Sequence, residues 1–192
     1  MPPAEIFGYQ WVMIRGEKVG LRARHEDDVA VLHAELYDDV RTQALADSAP
    51  WRPIRADAEK SPYAVGEHSD DIAYFSVVEL GTGALAGEAL LWGIDTYNRR
   101  AHLGLSVLPA KRGLGLGTDI VRALCAYGFA VRGLHRLQIE TAAANTAMIH
   151  AGQRAGFTVE GTLRRSAWGY GEFTDEVILG LLDDEWKALA DG

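Results

Sequence analysis

The sequence is poor in cysteine, has no long apolar run and carries fewer basic than acidic side chains, and each shortage excludes a class of protein. Cys125 is the single cysteine among 192 residues, so no disulfide can form within the chain, and a structural zinc site is not expected. No stretch approaches the roughly 20 apolar residues of a membrane-spanning helix, and the opening MPPAEIFGYQ lacks the basic and apolar parts of a secretory signal. We therefore expect a cytoplasmic protein without a membrane partner or a bound metal.

Acidic side chains outnumber basic ones by 27 to 19, which gives a net charge of -8. This excess disfavours binding to nucleic acid or to an anionic membrane, and it favours cationic small molecules or basic polypeptides. Hydrophobic residues make up 48% and charged residues 24%, as is typical of a globular chain that folds by itself. The length suits one domain, which we assign to residues 1–192, with residues 1–17 as an N-terminal extension.

Alternation of apolar and polar residues predicts strands, and apolar residues three to four positions apart predict helices. A strand over 19–24 leads into a helix that begins in the segment HEDD, and the polar region 38–72 is expected to hold short helices and loops that contact a substrate. The remaining elements are strands over 72–80, 84–94, 101–108 and 135–142, helices after Gly117 and over 145–155, and a closing hairpin of 157–165 with 174–182.

Three glycines at alternate positions, 113, 115 and 117, connect the strand that ends before Pro109 to an amphipathic helix. The start of a helix exposes unpaired N–H groups and a partial positive charge, so bare glycines there admit a phosphate, and Lys111 and Arg112 add cationic donors. The dinucleotide pattern G-x-G-x-x-G fails at Thr118, and the ATP-type loop lacks its lysine. Glycine-rich turns also serve tight packing, so the motif alone leaves that role open.

The pattern R-x-x-G-x-G, formed by Arg112, Gly115 and Gly117, resembles the acetyl-coenzyme A loop of the GNAT acyltransferase superfamily. The resemblance runs from Val19 to Trp186. It includes LRARHEDD, GEALLWGIDTYNRRAHLGLSVLPAKRGLGLG and NTAMIHAGQRAGFTVEG, and it is closest to the RimJ/RimL-like branch, which acetylates ribosomal-protein amino termini and other amines. This similarity implies an α/β (α+β) fold, with a mixed, mostly antiparallel central sheet flanked by helices. It also allows a homodimer.

The resemblance further implies that acetyl-coenzyme A is the co-substrate and that an amine attacks it directly within a ternary complex. Backbone groups of Leu105, Ser106, Val107 and Leu108 would hold the pantetheine arm and the thioester. Asn145 would contact the pantetheine or orient a water, and it is equally suited to cap the following helix. The loop residues implied in coenzyme binding are Lys111, Arg112, Gly113, Leu114, Gly115, Leu116, Gly117 and Thr118.

An amine is mostly protonated at neutral pH, so the reaction needs a proton acceptor, and His102 and Glu88 are the candidates. His102 lies where this branch frequently has a glutamate, on the same strand face as Gly104 and Ser106. Glu88, on the neighbouring strand, would act through water or would simply neutralise Arg99 or Arg100. Glu140 is a third candidate, with a surface or ion-pair role as its alternative.

The sequence lacks the usual donors of a proton to the departing thiolate. The branch often has a serine where Met148 stands, and other GNAT enzymes have a tyrosine where Gly152 stands. The thiolate would leave unassisted or with help from water, Ser106 or Tyr170.

Three further residues have a coenzyme or acceptor role and a plainer structural one. Arg154 would reach the coenzyme phosphates or lie exposed on its helix. Trp168 and Tyr170 would border the acceptor pocket or pack across the final hairpin.

Two functions therefore remain open. The first is an N-acetyltransferase that modifies a primary amine, either a protein amino terminus or a small molecule. The second is a non-catalytic module of the same fold that binds coenzyme A or its acyl forms and has lost the proton donor. The acceptor region, 38–72 with the final hairpin, carries no recognisable code for one amine.

Overall fold

An eight-stranded sheet forms the centre of the computed structural model, which describes residues 14–46, 49–66, 69–169 and 171–190. Within these residues the strand order is β1-β2-β3-β4-β5-β6-β8-β7, and neighbours are antiparallel except for the parallel pair β5 and β6. The strands are β1 Ile14–Arg15, β2 Val19–Arg22, β3 Ile72–Glu79, β4 Leu85–Asp95, β5 Arg100–Val107, β6 Arg136–Ala142, β7 Thr158–Gly169 and β8 Glu172–Leu182.

Five α-helices are described around this sheet. They are α1 Glu26–Leu32, α2 Val40–Ala46, α3 Leu116–Cys125, α4 Thr146–Arg154 and α5 Asp183–Ala190. Helices α1 and α3 continue as π-helical turns over His33–Tyr37 and Ala126–Val131, and a short 3-10 turn covers Pro109–Lys111. The acidic first turn of α1 suits the positive end of a helix, as the segment HEDD predicts.

The two faces of the sheet have different roles because side chains alternate along each strand. On one face Val77, Leu91 and Leu103 are buried, and they belong to one core with Ile120 of α3 and Ala151 of α4. The opposite face carries polar and aromatic residues such as Glu88 and Trp92, which line an open cavity.

The parallel pairing of β5 with β6 is short. It covers Arg100–Arg136, Ala101–Leu137 and His102–Gln138, whereas β5 runs on to Val107 and β6 to Ala142. Beyond His102 the two strands separate, so one edge of β5 has no strand beside it in the described residues. The separation opens the middle of the sheet at residues 103–107.

The predicted fold class is confirmed: the sheet is mixed, mostly antiparallel and flanked by helices. Strand β2, predicted over 19–24, ends at Arg22, two residues earlier than predicted. The closing hairpin is longer than predicted, because β7 extends to Gly169 and β8 begins at Glu172. Strand β1 and helix α5 had no counterpart in the prediction. Of the predicted extension, residues 1–13 lie outside the described residues, and Ile14 and Arg15 form β1. No helix in the described ranges has both the length and the apolarity to cross a bilayer.

Candidate active site

A cleft of about 680 Å³ lies between the end of β5, the glycine loop and the start of α4; we call it the loop cleft. Most of the residues assigned to the coenzyme line it, which brings together a strand, a loop and a helix that are up to 40 residues apart in sequence. The predicted strand, loop and capping residues that line the loop cleft are Leu105, Ser106, Val107, Lys111, Arg112, Gly113, Gly115, Leu116, Gly117, Thr118 and Asn145.

Two predicted coenzyme residues, Leu108 and Leu114, are not among those that line the loop cleft. The side chain of Leu108 is buried in a second apolar cluster with Leu32 and Tyr63, and its N–H donates to the carbonyl of Ala86 at 2.9 Å. Leu114 is half exposed, and its carbonyl accepts from Lys18 Nζ at 3.1 Å. The N–H of Leu108 and the carbonyl of Leu114 are therefore already hydrogen-bonded within the protein.

The glycine loop presents unpaired backbone donors to the loop cleft. Gly113 and Gly115 have φ angles of 77° and 75°, a left-handed conformation that glycine adopts without strain, and Gly115 directly precedes α3. Within the ranges that the structure describes, the N–H groups of residues 113–118 donate to no protein acceptor. Free N–H groups at the positive end of a ten-residue helix suit an anion.

The cations around this loop are arranged differently from the prediction. The ammonium of Lys111 is paired with Glu79, an ion pair that lowers the pKa of the Glu79 carboxyl group. Arg112 directs Nε to the carbonyl of Val107 at 3.1 Å, and Arg154 of α4 lines the cleft. Lys18, which the sequence analysis missed, lies beside the loop, since its Nζ would be 3.4 Å from a Cβ at Gly115.

A buried aspartate holds Lys18 over the loop. The Asp119 carboxylate accepts the backbone N–H groups of Glu17, Lys18 and Val19 at 2.9, 2.8 and 2.9 Å. A Cβ at Gly16 would lie 2.5 Å from Asp119 Oδ2, so only glycine fits in this turn. The turn between β1 and β2 is thereby fixed to the first turn of α3.

Asn145 has the capping role that its position suggested. Its Oδ1 accepts the N–H of Met148 at 3.2 Å, its Nδ2 donates to Thr141 Oγ1 at 3.0 Å, and the residue also lines the loop cleft. Gly152 has a packing role, because a Cβ there would lie 2.8 Å from Ile139 Cδ1. The helix lies too close to the sheet at this point for a tyrosine, which explains the missing hydroxyl.

A second cavity of about 420 Å³ lies on the polar face of the sheet; we call it the acceptor cavity. It shares Leu105 and Ser106 with the loop cleft, so the two spaces meet at the open edge of β5. Carboxylates and aromatic rings line it, a combination that attracts a cation. These residues are Glu88, Glu140, Glu176, Tyr63, Tyr74, Trp92 and Trp168.

Glu88 of β4 lies directly opposite Ser106 of β5 and lines the acceptor cavity. Its carboxylate accepts from Arg24 Nη2 at 2.7 Å. The expectation that Glu88 neutralises Arg99 or Arg100 is therefore wrong. Arg99 donates to the carbonyl of Gly133 at 2.9 Å, and Arg100 pairs with Asp95 at 3.6 Å, because both lie at the far end of the strand pair.

His102 lines neither cavity. It is on the predicted face, but it lies four residues from Ser106, about 13 Å along the strand. Its ring stacks on Trp92 at 4.2 Å between centroids, and its buried Nδ1 is 3.6 Å from Glu140 Oε1, without a hydrogen bond in the described residues. Burial lowers the pKa of His102, against an opposing effect of the Glu140 charge.

Two of the remaining predicted candidates, Glu140 and Trp168, line the acceptor cavity. Glu140 lines it and accepts from Gln138 Nε2 at 2.6 Å. Trp168 also lines it, and its ring packs edge-on against Phe173 across the hairpin, while its role at the acceptor stays a prediction. Tyr170 lies outside the described residues. Among the described residues, no three His, Cys, Asp or Glu side chains converge on a possible metal ion.

Residues 18–158 match the acetyltransferase (GNAT) domain, and the chain belongs to this family. Spermidine N(1)-acetyltransferase of Escherichia coli (strain K12) is 28% identical over 106 residues, 55% of this chain and 57% of that protein. The chain thus matches little more than half the length of this relative. Probable N-acetyltransferase YjcK of Bacillus subtilis (strain 168) is 26% identical over 176 residues, 88% of this chain and 90% of that protein.

The fold is also that of a solved enzyme structure. Spermidine N-acetyltransferase from Vibrio cholerae, in complex with CoA and spermine, superposes with a TM-score of 0.79 at 21% identity, covering 88% of this chain and 98% of that one. At this identity the likeness concerns the fold alone. These relatives support the family without singling out the ribosomal-protein branch that the sequence resembles.

Proposed function

We propose that this protein is an N-acetyltransferase that moves the acetyl group of acetyl-coenzyme A onto a small cationic primary amine. One observation carries the proposal: the loop cleft and the acceptor cavity meet at the open edge of β5, where both are lined by Leu105 and Ser106. A thioester held on that edge would face the coenzyme loop on one side and the amine on the other. Such an arrangement favours direct attack in a ternary complex.

The loop cleft supplies the means to bind the coenzyme. The N–H groups of residues 113–118 would receive the diphosphate, with Lys18, Arg112 and Arg154 as the nearest cations, since Lys111 is paired with Glu79. Leu116 and Met148 give apolar contact for the pantetheine arm. Arg112 therefore serves two purposes, because its Nε also ties the loop to the end of β5.

The open edge of β5 supplies polar backbone groups for the pantetheine arm and the thioester. The carbonyl of Ser106 points toward β4, because a Cβ at Gly87 would lie only 2.1 Å from it. Carbonyls alternate in direction along a strand, so those of Leu105 and Val107 point into the gap left by β6. The Leu105 backbone is then free to pair with the bound arm, as the sequence resemblance implies.

The acceptor cavity favours a small amine over a peptide amino terminus. It has room for a small ligand, and it gathers three carboxylates on one face of the sheet. Arg24 offsets one of these charges at Glu88, and Glu140 and Glu176 leave the cavity net negative. Two relatives named above are spermidine acetyltransferases, which makes a polyamine the first acceptor to test.

The transfer itself needs one new bond, one broken bond and one proton acceptor. The amine nitrogen bonds to the acyl carbon, the carbon–sulfur bond breaks, and the thiolate leaves with the electron pair. We assign the amine proton to Glu88, directly or through water, because Glu88 lines the cavity opposite Ser106 whereas His102 lines neither cavity. A thiol with a pKa near 8.5 leaves without an acid, and we assign any assisting proton to the hydroxyl of Ser106, because this residue lines both cavities.

The test is thiol release from acetyl-coenzyme A by the purified chain with spermidine, an aminoglycoside or a peptide with a free amino terminus. We expect release that requires an amine and is fastest with spermidine. Coenzyme A binding by calorimetry is measured in parallel. Binding without release by any amine would support the non-catalytic module instead, and failure to bind would contradict both functions.

A further inference from the structure

Arg24 is a buried cation behind the wall of the acceptor cavity, in contact with residues that line it. It follows β2 and precedes α1, and its side chain is 4% exposed while that of its partner Glu88 is 12% exposed. The guanidinium reaches across 64 residues of sequence to donate to Glu88 Oε2 at 2.7 Å. Burying such a pair is costly, and breaking it by removing one partner is costlier still.

Two tyrosine rings hold the same guanidinium. Arg24 Cζ lies 5.4 Å from the ring centre of Tyr63 and 5.5 Å from that of Tyr74, and both rings line the acceptor cavity with Glu88. In the part of the chain that the structure describes, Arg24 Nε is buried without a hydrogen-bond partner. The guanidinium of Arg24 is thus oriented toward Glu88, although this orientation leaves its Nε–H group without an acceptor among the described residues.

The turn that carries Arg24 is fixed by Asp28. This buried carboxylate accepts from both Nη atoms of Arg22 at 2.6 and 2.8 Å, from the His25 N–H at 2.8 Å and from Ser76 Oγ at 2.7 Å. The backbone on both sides of Arg24 is therefore anchored to one acidic group. A long side chain on a fixed backbone places its guanidinium reproducibly.

We propose that Arg24 is a positioning residue for acetyl transfer, which holds the Glu88 carboxylate beside Ser106 in the orientation that receives the amine proton. The inference rests on the proposed function and adds a residue that does not itself touch the reacting atoms. The other charged groups that line the cavity are Glu140 and Glu176, on β6 and β8. Arg24 is a cation that holds Glu88 from the turn between β2 and α1. Without Arg24, the Glu88 carboxylate would lose a guanidinium that favours its charged form and holds its orientation.

The experiment compares Arg24→Met, Arg24→Lys and a matched control, Arg136→Met, which also breaks an arginine–glutamate ion pair on the sheet but lies in neither cavity. Thiol release with acetyl-coenzyme A and spermidine is measured from pH 5 to 9. Arg24→Met should lower kcat about 10²-fold and move the acidic limb of the pH–rate profile upward by about one unit, with coenzyme A affinity unchanged. Arg24→Lys keeps the charge, so its acidic limb should stay near the wild-type position.

Glu88→Gln makes the test independent of folding losses. If Arg24 acts through Glu88, adding Arg24→Met to Glu88→Gln should cost no further activity, whereas a structural role would cost the same factor in both backgrounds. An acidic limb that moves equally in Arg136→Met, or an Arg24→Met enzyme with wild-type kcat, would overturn the inference. If Arg24→Met does not fold, Arg24→Lys and Arg24→Gln replace it in the test, and a wild-type kcat in both of them would overturn the inference. An inactive wild-type chain would instead contradict the proposed function.

Discussion

Replacing Gly115 by glutamate should abolish coenzyme binding while the fold remains. Gly115 has a φ angle of 75°, a left-handed conformation that costs a residue with a Cβ about 1–2 kcal/mol. The new Cβ would lie 3.4 Å from Lys18 Nζ, so the carboxylate would add negative charge to the loop and draw Lys18 away from the phosphates. One like-charge contact at ~4 Å costs ~4 kcal/mol at an effective dielectric constant of ~20, or about 10³-fold in affinity.

Gly133 provides the matched control for this variant. It has a φ angle of 62°, open space where a Cβ would lie, and no part in the lining of the loop cleft. Gly133→Glu and Gly115→Glu should therefore lose similar unfolding free energy in urea, about 1–2 kcal/mol each. Calorimetric titration with coenzyme A should show wild-type affinity for Gly133→Glu alone. If Gly115→Glu also binds within about threefold of wild type, the loop is not the phosphate site.

Three further predictions concern stability and reactivity. Gly152→Ala should destabilise the chain by about 1–3 kcal/mol in urea unfolding, because its Cβ would lie 2.8 Å from Ile139 Cδ1; an unchanged unfolding free energy would contradict this packing. Burial raises the pKa of Asp28, but hydrogen bonds, chiefly from Arg22, outweigh it and lower the pKa from 3.8 to about 2. Ionised Asp28 therefore adds about 2 kcal/mol to the free energy of unfolding above pH ~4, and this stabilisation is lost as the pH falls toward ~2. Asp28→Asn should accordingly flatten the acid side of the pH–stability curve. A curve parallel to that of the wild type would contradict the assignment. Burial also raises the pKa of Cys125 to about 12, so a thiol reagent should label it only as fast as the chain unfolds, and labelling at the rate of a free thiol would show that it is accessible.

Local patterns were enough to predict every strand except β1, the main helices and the glycine loop. The turn GLGLG and the alternating strand before it are consecutive in sequence, so their geometry follows from residues that are neighbours in the chain. The chain-terminal helix α5 was missed because only Trp186 and Leu189 mark its apolar side in a segment of eight residues. The π-helical turns after α1 and α3 have no distinct sequence signal.

The acceptor side of the site depends on long-range geometry that local patterns do not contain. Pairing of Arg24 with Glu88 requires the register of β4 and the path of the turn after β2, which are set by tertiary packing. Lys18 reaches the loop only because Asp119 holds the β1–β2 turn, about 100 residues away in sequence. His102 falls outside both cavities because β5 and β6 stay paired as far as that residue, and no sequence pattern marks where they part.

The most direct measurement is an amide chemical-shift titration of the isotopically labelled chain with coenzyme A. We predict that the N–H signals of residues 113–118 shift together and saturate at one equivalent, while that of Gly133 stays in place. Saturable binding that leaves the signals of Gly113, Gly115 and Gly117 unmoved would show that the diphosphate lies elsewhere, and the account of the site would then be wrong.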